Sequence, residues 1–454
     1  MPARLRATRP LVHGASGIAL VLASSVVHGQ AGEGDDLERL RARVETLQEA
    51  VRRQGAEIED LRALALGERG VARRAGTPRE EIGRFPDDAV VTGGAFPGSI
   101  YLPEWGVSMR VGGFVRADVV HDLDTLGFDE AVSVRTIPLD DSDEDGDSQT
   151  RLSVRSSRLN FDVRGDTELG PFRTFIEADF FGDGNELSSN YQLRLRHAIA
   201  GLGNFYVGQW WSAFDDTAAL PESGDDGGPL GAPVVRQPGL RWAHRSERGW
   251  KLGVSVENPA GDLSAPSGAE LASESVPDLI LYGEATRGWG RVRVAALGRR
   301  LESANDRRWV GGVNASGRIT VPWLDERDNV SFQLVGGEGI TRYLATFAGA
   351  GLDGIVDAEG DLEPVGVLAG YVGYQHWWSE CWRSTLVLSA LSFDLPDGAG
   401  ADAVESAGYL AGNVFWSPVD RVTVGLDAIY ADVDTPGGGT GAGFRLMATA
   451  RYTF

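Results

Sequence analysis

From Val107 to Phe454 the chain alternates apolar and polar residues in segments of roughly ten, separated by clusters of Gly, Asp, Pro and Asn. In the last segment Phe444, Leu446, Ala448, Ala450, Tyr452 and Phe454 share one face, and Arg445, Met447, Thr449, Arg451 and Thr453 share the other. The first behaves alike: Met109, Val111, Val115 and Val119 oppose Arg110, Arg116 and Asp118. A period of two places successive side chains on opposite faces of a strand, and this length with one oily and one wet face suits membrane-spanning strands of about 9–11 residues. Such segments begin at Val107, Arg151, Phe172, Tyr191, Asn204, Arg236, Arg248, Val276, Trp289, Arg308, Asn329, Val365, Trp382, Ala407, Arg421 and Gly443. The pattern predicts an all-β, 16-stranded antiparallel transmembrane β-barrel over residues 99–454. Long connections near 121–150, 212–235, 259–275 and 342–364 alternate with tight ones such as Gly201-Leu202-Gly203 and Ser246-Glu247. Long loops outside and short turns inside would put both termini in the periplasm. The Gly- and Pro-rich 212–235 connection is the candidate for a loop folded into the lumen. Tryptophans near strand ends (Trp210-Trp211, Trp377-Trp378, Trp382, Trp416) read as an aromatic girdle.

The first hundred residues follow other rules. Arg4, Arg6 and Arg9 precede a mostly apolar stretch and small residues near Gly29 and Ala31, the pattern of a signal peptide over 1–30. Leu37, Leu40, Val44, Leu47, Val51, Ile58, Leu61 and Ala65 then recur at alternating three- and four-residue spacings. That is an a/d seam, and it predicts an α-helical coiled coil over 35–66 that would lie in the periplasm. Residues 67–98 carry Gly, Pro and charge without a period and read as a linker.

Charge narrows the choice of partners. A net charge of −22 argues against nucleic acid, which needs a basic face. A single cysteine, Cys381, excludes a disulfide framework, and no cofactor or metal site is expected. Residues 121–150 hold ten acids against Arg135 alone, so much of the negative charge sits in one external loop. Within it Asp141 to Asp147 resembles the start of a calcium loop, but Leu152 stands where the closing Glu belongs, and it reads as a solvated acidic loop.

Lys251 is the only lysine among 43 basic residues, so almost every cation is an arginine. These arginines fall on the wet parity. Leu193, Leu195 and Ile199 oppose Gln192, Arg194, Arg196 and Ala198; Leu159, Phe161 and Val163 oppose Arg158 and Arg164; Leu240 and Trp242 oppose Arg241; Val292 and Val294 oppose Arg291 and Arg293. A lipid-facing Arg at the bilayer midplane costs about 2–4 kcal/mol, so several on one face must point into the lumen. There their planar forks can hold carboxylate or phosphate on two hydrogen bonds and ease the entry of anions. Some would instead pair with lumen acids such as Asp118, Asp162, Glu177 or Asp179 and stiffen the wall.

With these residues in place, the chain resembles the DcaP-like trimeric porins of the bacterial outer membrane. The likeness is carried by the heptads, the stretch from Gly98 to Asp118, "SRLNFDVRG", "LRLRHAI", "VGQWWSAFDD", "VRQPGLRW", "VENP" at Val256 to Pro259 and the closing "RYTF". The resemblance implies a homotrimer in a Gram-negative outer membrane, packed through barrel walls and coil, and passive uptake of small anionic solutes, dicarboxylates in particular. It would make Arg116, Arg158, Arg194, Arg196, Arg236 and Arg241 lumen cations, which Arg293 joins from its parity. The phosphate-selective porins share the plan but also use lysines, from which this chain departs. Two other readings are an outer-face lipase and a barrel-anchored protein whose coil contacts the cell wall. The first lacks matched Ser and Asn partners for His121, His197, His244 or His376, so no enzyme is expected.

Overall fold

The computed structural model describes Glu49 and residues 93–454, apart from 125, 128–129, 141–147, 186–188, 266–271 and 323–324. The signal segment, the heptads, most of the linker and the acidic run from Asp141 to Asp147 lie outside the described residues. Sixteen antiparallel positions form one closed wall: β1 (Val107–Asp122), β2 (Gln149–Ser153 and Arg158–Thr167), β3 (Gly170–Asn185), β4 (Asn190–Leu202), β5 (Phe205–Trp211), β6 (Arg236–Arg245), β7 (Trp250–Glu257), β8 (Asp278–Arg287), β9 (Gly290–Glu302), β10 (Arg307–Thr320), β11 (Asn329–Glu338), β12 (Gly366–Trp377), β13 (Trp382–Asp394), β14 (Ser406–Trp416), β15 (Val422–Asp434) and β16 (Thr440–Thr453). The wall closes where Phe114–Asp122 of β1 pair with Arg445–Thr453 of β16. Closure satisfies the backbone without leaving an edge, which a strand protein in lipid requires. The expected alternation of connections is also present: turns such as 203–204 and 288–289 at one rim, loops 123–148, 212–235, 258–277 and 339–365 at the other.

Oil and water sort as the alternation requires. Val111, Val115, Val119, Leu240, Val294, Leu386, Leu426 and Leu446 are exposed on the outer face, while Arg116, Asp118, Arg293 and Arg445 are buried on the inner one. Trp378, Trp382 and Trp416 are exposed at the short-turn rim, the last two stacked with centroids 5.5 Å apart. The remaining girdle candidates depart from that role. Trp377 lies in register with Arg383, and that guanidinium stands 5.2 Å from its ring. Trp210 lies under Arg241 at 4.6 Å and Trp211 under Arg236 at 4.8 Å, so this pair joins the arginine wall.

Two irregularities shape that wall. β2 is split because Val154 to Ser157 leave the ladder; the Arg116 N–H instead donates to Ser157 Oγ at 3.0 Å. Beside the split, Gly113 has φ +152°, and a Cβ there would overlap the Arg158 carbonyl. A Gly113→Val change therefore strains the backbone by about 1–3 kcal/mol and pushes β1 from β2. We expect loss of the compact heat-modifiable band on unheated electrophoresis; a normal band would show that the strands can separate there without harm. In β4, Glu177 pairs with His197 but Ala178 pairs with Leu195, so Arg196 is the extra residue of a bulge. One extra residue inverts the parity beyond it. Strict alternation puts Ile199 and His197 outward and Ala198 inward. The register reverses all three: His197 turns inward with Glu177, Ala198 pairs with exposed Ile176, and Ile199 pairs with Phe175.

A hydrophobic core fills part of the interior. Leu126, Val132 and Val134 of loop 123–148, Phe214 and Leu230 of loop 212–235, and Ile340, Tyr343, Leu344 and Phe347 of loop 339–365 pack against Val367, Leu391, Tyr409, Ile429 and other inward residues. Each fully buried large side chain contributes about 1.5–3 kcal/mol. Three loops, where the alternation suggested one, thus pack into the lumen against β8, β9 and β11–β15.

Candidate functional site

Loop 212–235 enters and leaves the lumen at one pinch. The Ser212 N–H donates to the Val235 carbonyl at 2.9 Å, and the Val235 N–H donates to Asp215 Oδ2 at 2.8 Å. Between them the loop crosses the interior as expected. Asp216 meets Arg291 of β9 at 2.8 Å and Ser316 of β10 at 2.6 Å. Glu222 takes two bonds of 2.6 Å from Arg383 of β13. Asp427 of β15 accepts from the Gly224 N–H at 3.1 Å, and Asp225 accepts from Tyr409 at 3.0 Å. Burial pushes the Asp225 carboxyl above its ordinary range, against the opposing pull of the Gly227 and Val132 N–H groups. Asp226 finally reaches Arg116 of β1 at 3.0 Å.

The seven arginines expected to line the lumen divide by what they hold. Arg116 binds Asp118 at 2.9 Å, Asp226, and the Gly224 carbonyl, and so bolts the loop to the wall. Arg241 donates to the Trp211 carbonyl at 2.9 Å and to Glu257 at 3.3 Å. Arg293 donates to the Ala213 carbonyl and stands 4.1 Å from the Tyr282 ring. These three grip the loop's far arm or its root.

The other four gather on β2–β6. Arg194 makes a fork of two bonds to Asp179, 3.0 and 2.8 Å. Arg196, turned inward at the bulge, bridges Glu177 at 2.9 Å and Asp179 at 2.8 Å. Arg158 comes only within 3.9 Å of Glu177. Arg236, among the described residues, makes no hydrogen bond and stands over Trp211. Arg236 opens β6 on the opposite parity to Gln237, yet Trp211, its partner on the last rung, itself contacts inward His197 and Arg196. The four lie within electrostatic reach of one another, so this patch carries four guanidinium groups around two carboxylates.

All four acids named as pairing candidates do hold arginines. Asp162 takes forks from both Arg164 and Arg173, at 2.6–3.1 Å. Alternation did not single out Arg383, which grips the loop, nor Phe114, whose ring lies under Arg158 at 5.2 Å and Arg451 at 5.7 Å. Parity places Arg451 inside, but nothing in the spacing tells a free arginine from a paired one.

Residues 106–284 match the family described as DcaP outer membrane protein. Among solved structures, the outer membrane channel DcaP of Acinetobacter baumannii is similar at 23% identity and TM-score 0.69, over 77% of this chain and 98% of that one. An anion-selective porin from Comamonas acidovorans aligns at 12% identity and TM-score 0.50, over 77% of this chain and all of that one. A comparison with curated proteins gave no match. The chain thus shares the closed-barrel fold of these channels, and its residues 106–284 match an outer-membrane protein family.

Proposed function

We propose that the chain, whose residues 106–284 match the family described as DcaP outer membrane protein, is a passive porin for small anionic solutes, dicarboxylates foremost. One observation carries this reading: Arg158, Arg194, Arg196 and Arg236 gather around Glu177 and Asp179 on strands β2–β6, from which none of the fully buried core residues comes. In a narrow, partly desolvated passage, excess fixed cations lower the barrier for anions and raise it for cations. Guanidinium forks add geometric preference for carboxylate and for phosphate. The short-turn end would face the periplasm, with the coil extending there. Planar-bilayer recording across a KCl gradient tests the proposal: stable steps are expected, with a reversal potential on the anion side. A cation-side potential would overturn it, and an absence of steps would favour a barrel that only anchors the coil to the cell wall.

A homotrimer fits the uneven wall. β5, β6 and β7 have 7, 10 and 8 residues, against 13 for β4 and β9, and they expose Phe205, Val207, Leu240 and Leu252. We expect three copies to pack through this low apolar sector, so that Leu240→Arg would turn a trimer into monomers by light scattering in detergent. A variant that stays trimeric would move the contact elsewhere.

A further inference from the structure

We propose that Phe114, Arg158 and Arg451 form a discrete anion-binding station beneath loop 212–235, on its short-turn side, for a short dicarboxylate. The inference rests on the porin reading and deepens it. Phe114 lies on β1 with Arg158 directly opposite on β2, and Arg451 stands one step diagonal on β16, in register with Arg116. The single ring is thus flanked by one cation from each neighbouring strand, at 5.2 and 5.7 Å from its centroid.

These two cations differ from their neighbours. Arg116 holds Asp118 and Asp226, Arg196 holds Glu177 and Asp179, and Arg383 holds Glu222. Every nearby carboxylate is thereby engaged. Among the described residues Arg451 has no hydrogen bond and no ion pair, and Arg158 has only the 3.9 Å approach to Glu177, its Nε buried without a partner. Cations in a protein wall are ordinarily paired because desolvation is costly. Here the aromatic face supports both guanidinium groups without using their N–H donors. Those donors remain for an anion in transit.

Placement makes the station part of the passage. Arg116, two residues further along β1, already touches the loop. At about 3.4 Å per residue, Phe114 lies roughly one rung-pair below the constriction. The two guanidinium carbons are at most about 11 Å apart, since both lie near one centroid. A four-carbon dicarboxylate, hydrogen-bonded at each end, can bridge separations up to about that limit; a monocarboxylate can engage only one end.

The test uses the full chain in planar bilayers, with succinate or propionate added as blockers of the chloride current. The wild type is expected to be half-blocked at a lower succinate than propionate concentration. Arg451→Gln should lower that preference about tenfold by weakening succinate alone. Phe114→Leu, which removes the platform and no charge, should lower it about threefold and guards against a folding failure of the first variant. Equal weakening of both blockers, or no change in either variant, would overturn the station. A wild-type reversal potential on the cation side would instead overturn the porin reading itself.

Discussion

Replacing Arg194 and Arg196 together by Ser should shift the permeability ratio about tenfold toward cations and leave the barrel folded. Asp179 takes three bonds from these two side chains, and Glu177 takes its 2.9 Å bond from Arg196. The double change therefore removes two cations and frees two carboxylates on the same wall. The patch goes from four cations around two acids to a balance of Arg158 and Arg236 with Glu177 and Asp179. Two unit charges about 7 Å from a passing ion in water amount to roughly 1.2 kcal/mol; salt about halves this, and its opposite sign for anions and cations restores roughly 1.2 kcal/mol in their ratio, close to one decade. The barrel should keep its heat-modifiable mobility, because inter-strand hydrogen bonding does not depend on these groups. Reversal potentials in a KCl gradient give the answer. An unmoved potential would mean that the pair and its acids form a neutral strut away from the ions' path, and the selectivity would have to originate elsewhere.

The wall was legible because lipid outside and water inside impose the same period on every strand. The segment starts at Val107, Arg236, Asn329 and Trp382 coincide with observed strand starts, and the largest discrepancy lies at the last strand, read from Gly443 and observed from Thr440. A bulge carries no such mark. Arg196 is an ordinary inward arginine until the register shows it to be the extra residue, and its shift sends His197 into the lumen. The loop core was hidden for a related reason. Leu126, Val134, Phe214, Tyr343 and Phe347 lie in stretches without a period, where nothing local says that an apolar side chain is buried. Loop 212–235 was singled out by its Gly and Pro; loops 123–148 and 339–365, also long, were not. Parity identified cations that face inward, but whether each is spent on a neighbour depends on contacts such as Arg116–Asp226 that no spacing reveals.

Arg299→Ala should release loop 339–365 while the barrel persists. Arg299 is fully buried; it donates to Asp353 at 2.7 Å, to the Gly339 carbonyl at 2.9 Å and to the Ala260 carbonyl, and lies 3.3 Å from Asp278. Asp353 also accepts the Arg342 N–H at 2.9 Å, and Asp278 accepts from Arg342 at 2.9 Å and from Tyr343 at 2.7 Å. Two arginines and two aspartates thus tie loops 258–277 and 339–365 to β8 and β9. Deleting one member leaves a buried charge short of its partner, at a cost of about 3–5 kcal/mol. That cost falls on the loop, because moving it into water relieves Asp353 without opening the wall. Ile340, Tyr343, Leu344 and Phe347 would leave the core with it, widening the path. We expect faster protease cleavage within 339–365 and a larger, noisier single-channel conductance. Arg299→Met combined with Asp353→Leu should reverse most of this, since apolar groups of similar volume need no partner. A quiet, wild-type conductance in Arg299→Ala would mean that apolar packing alone holds the loop and the ion network adds nothing to it.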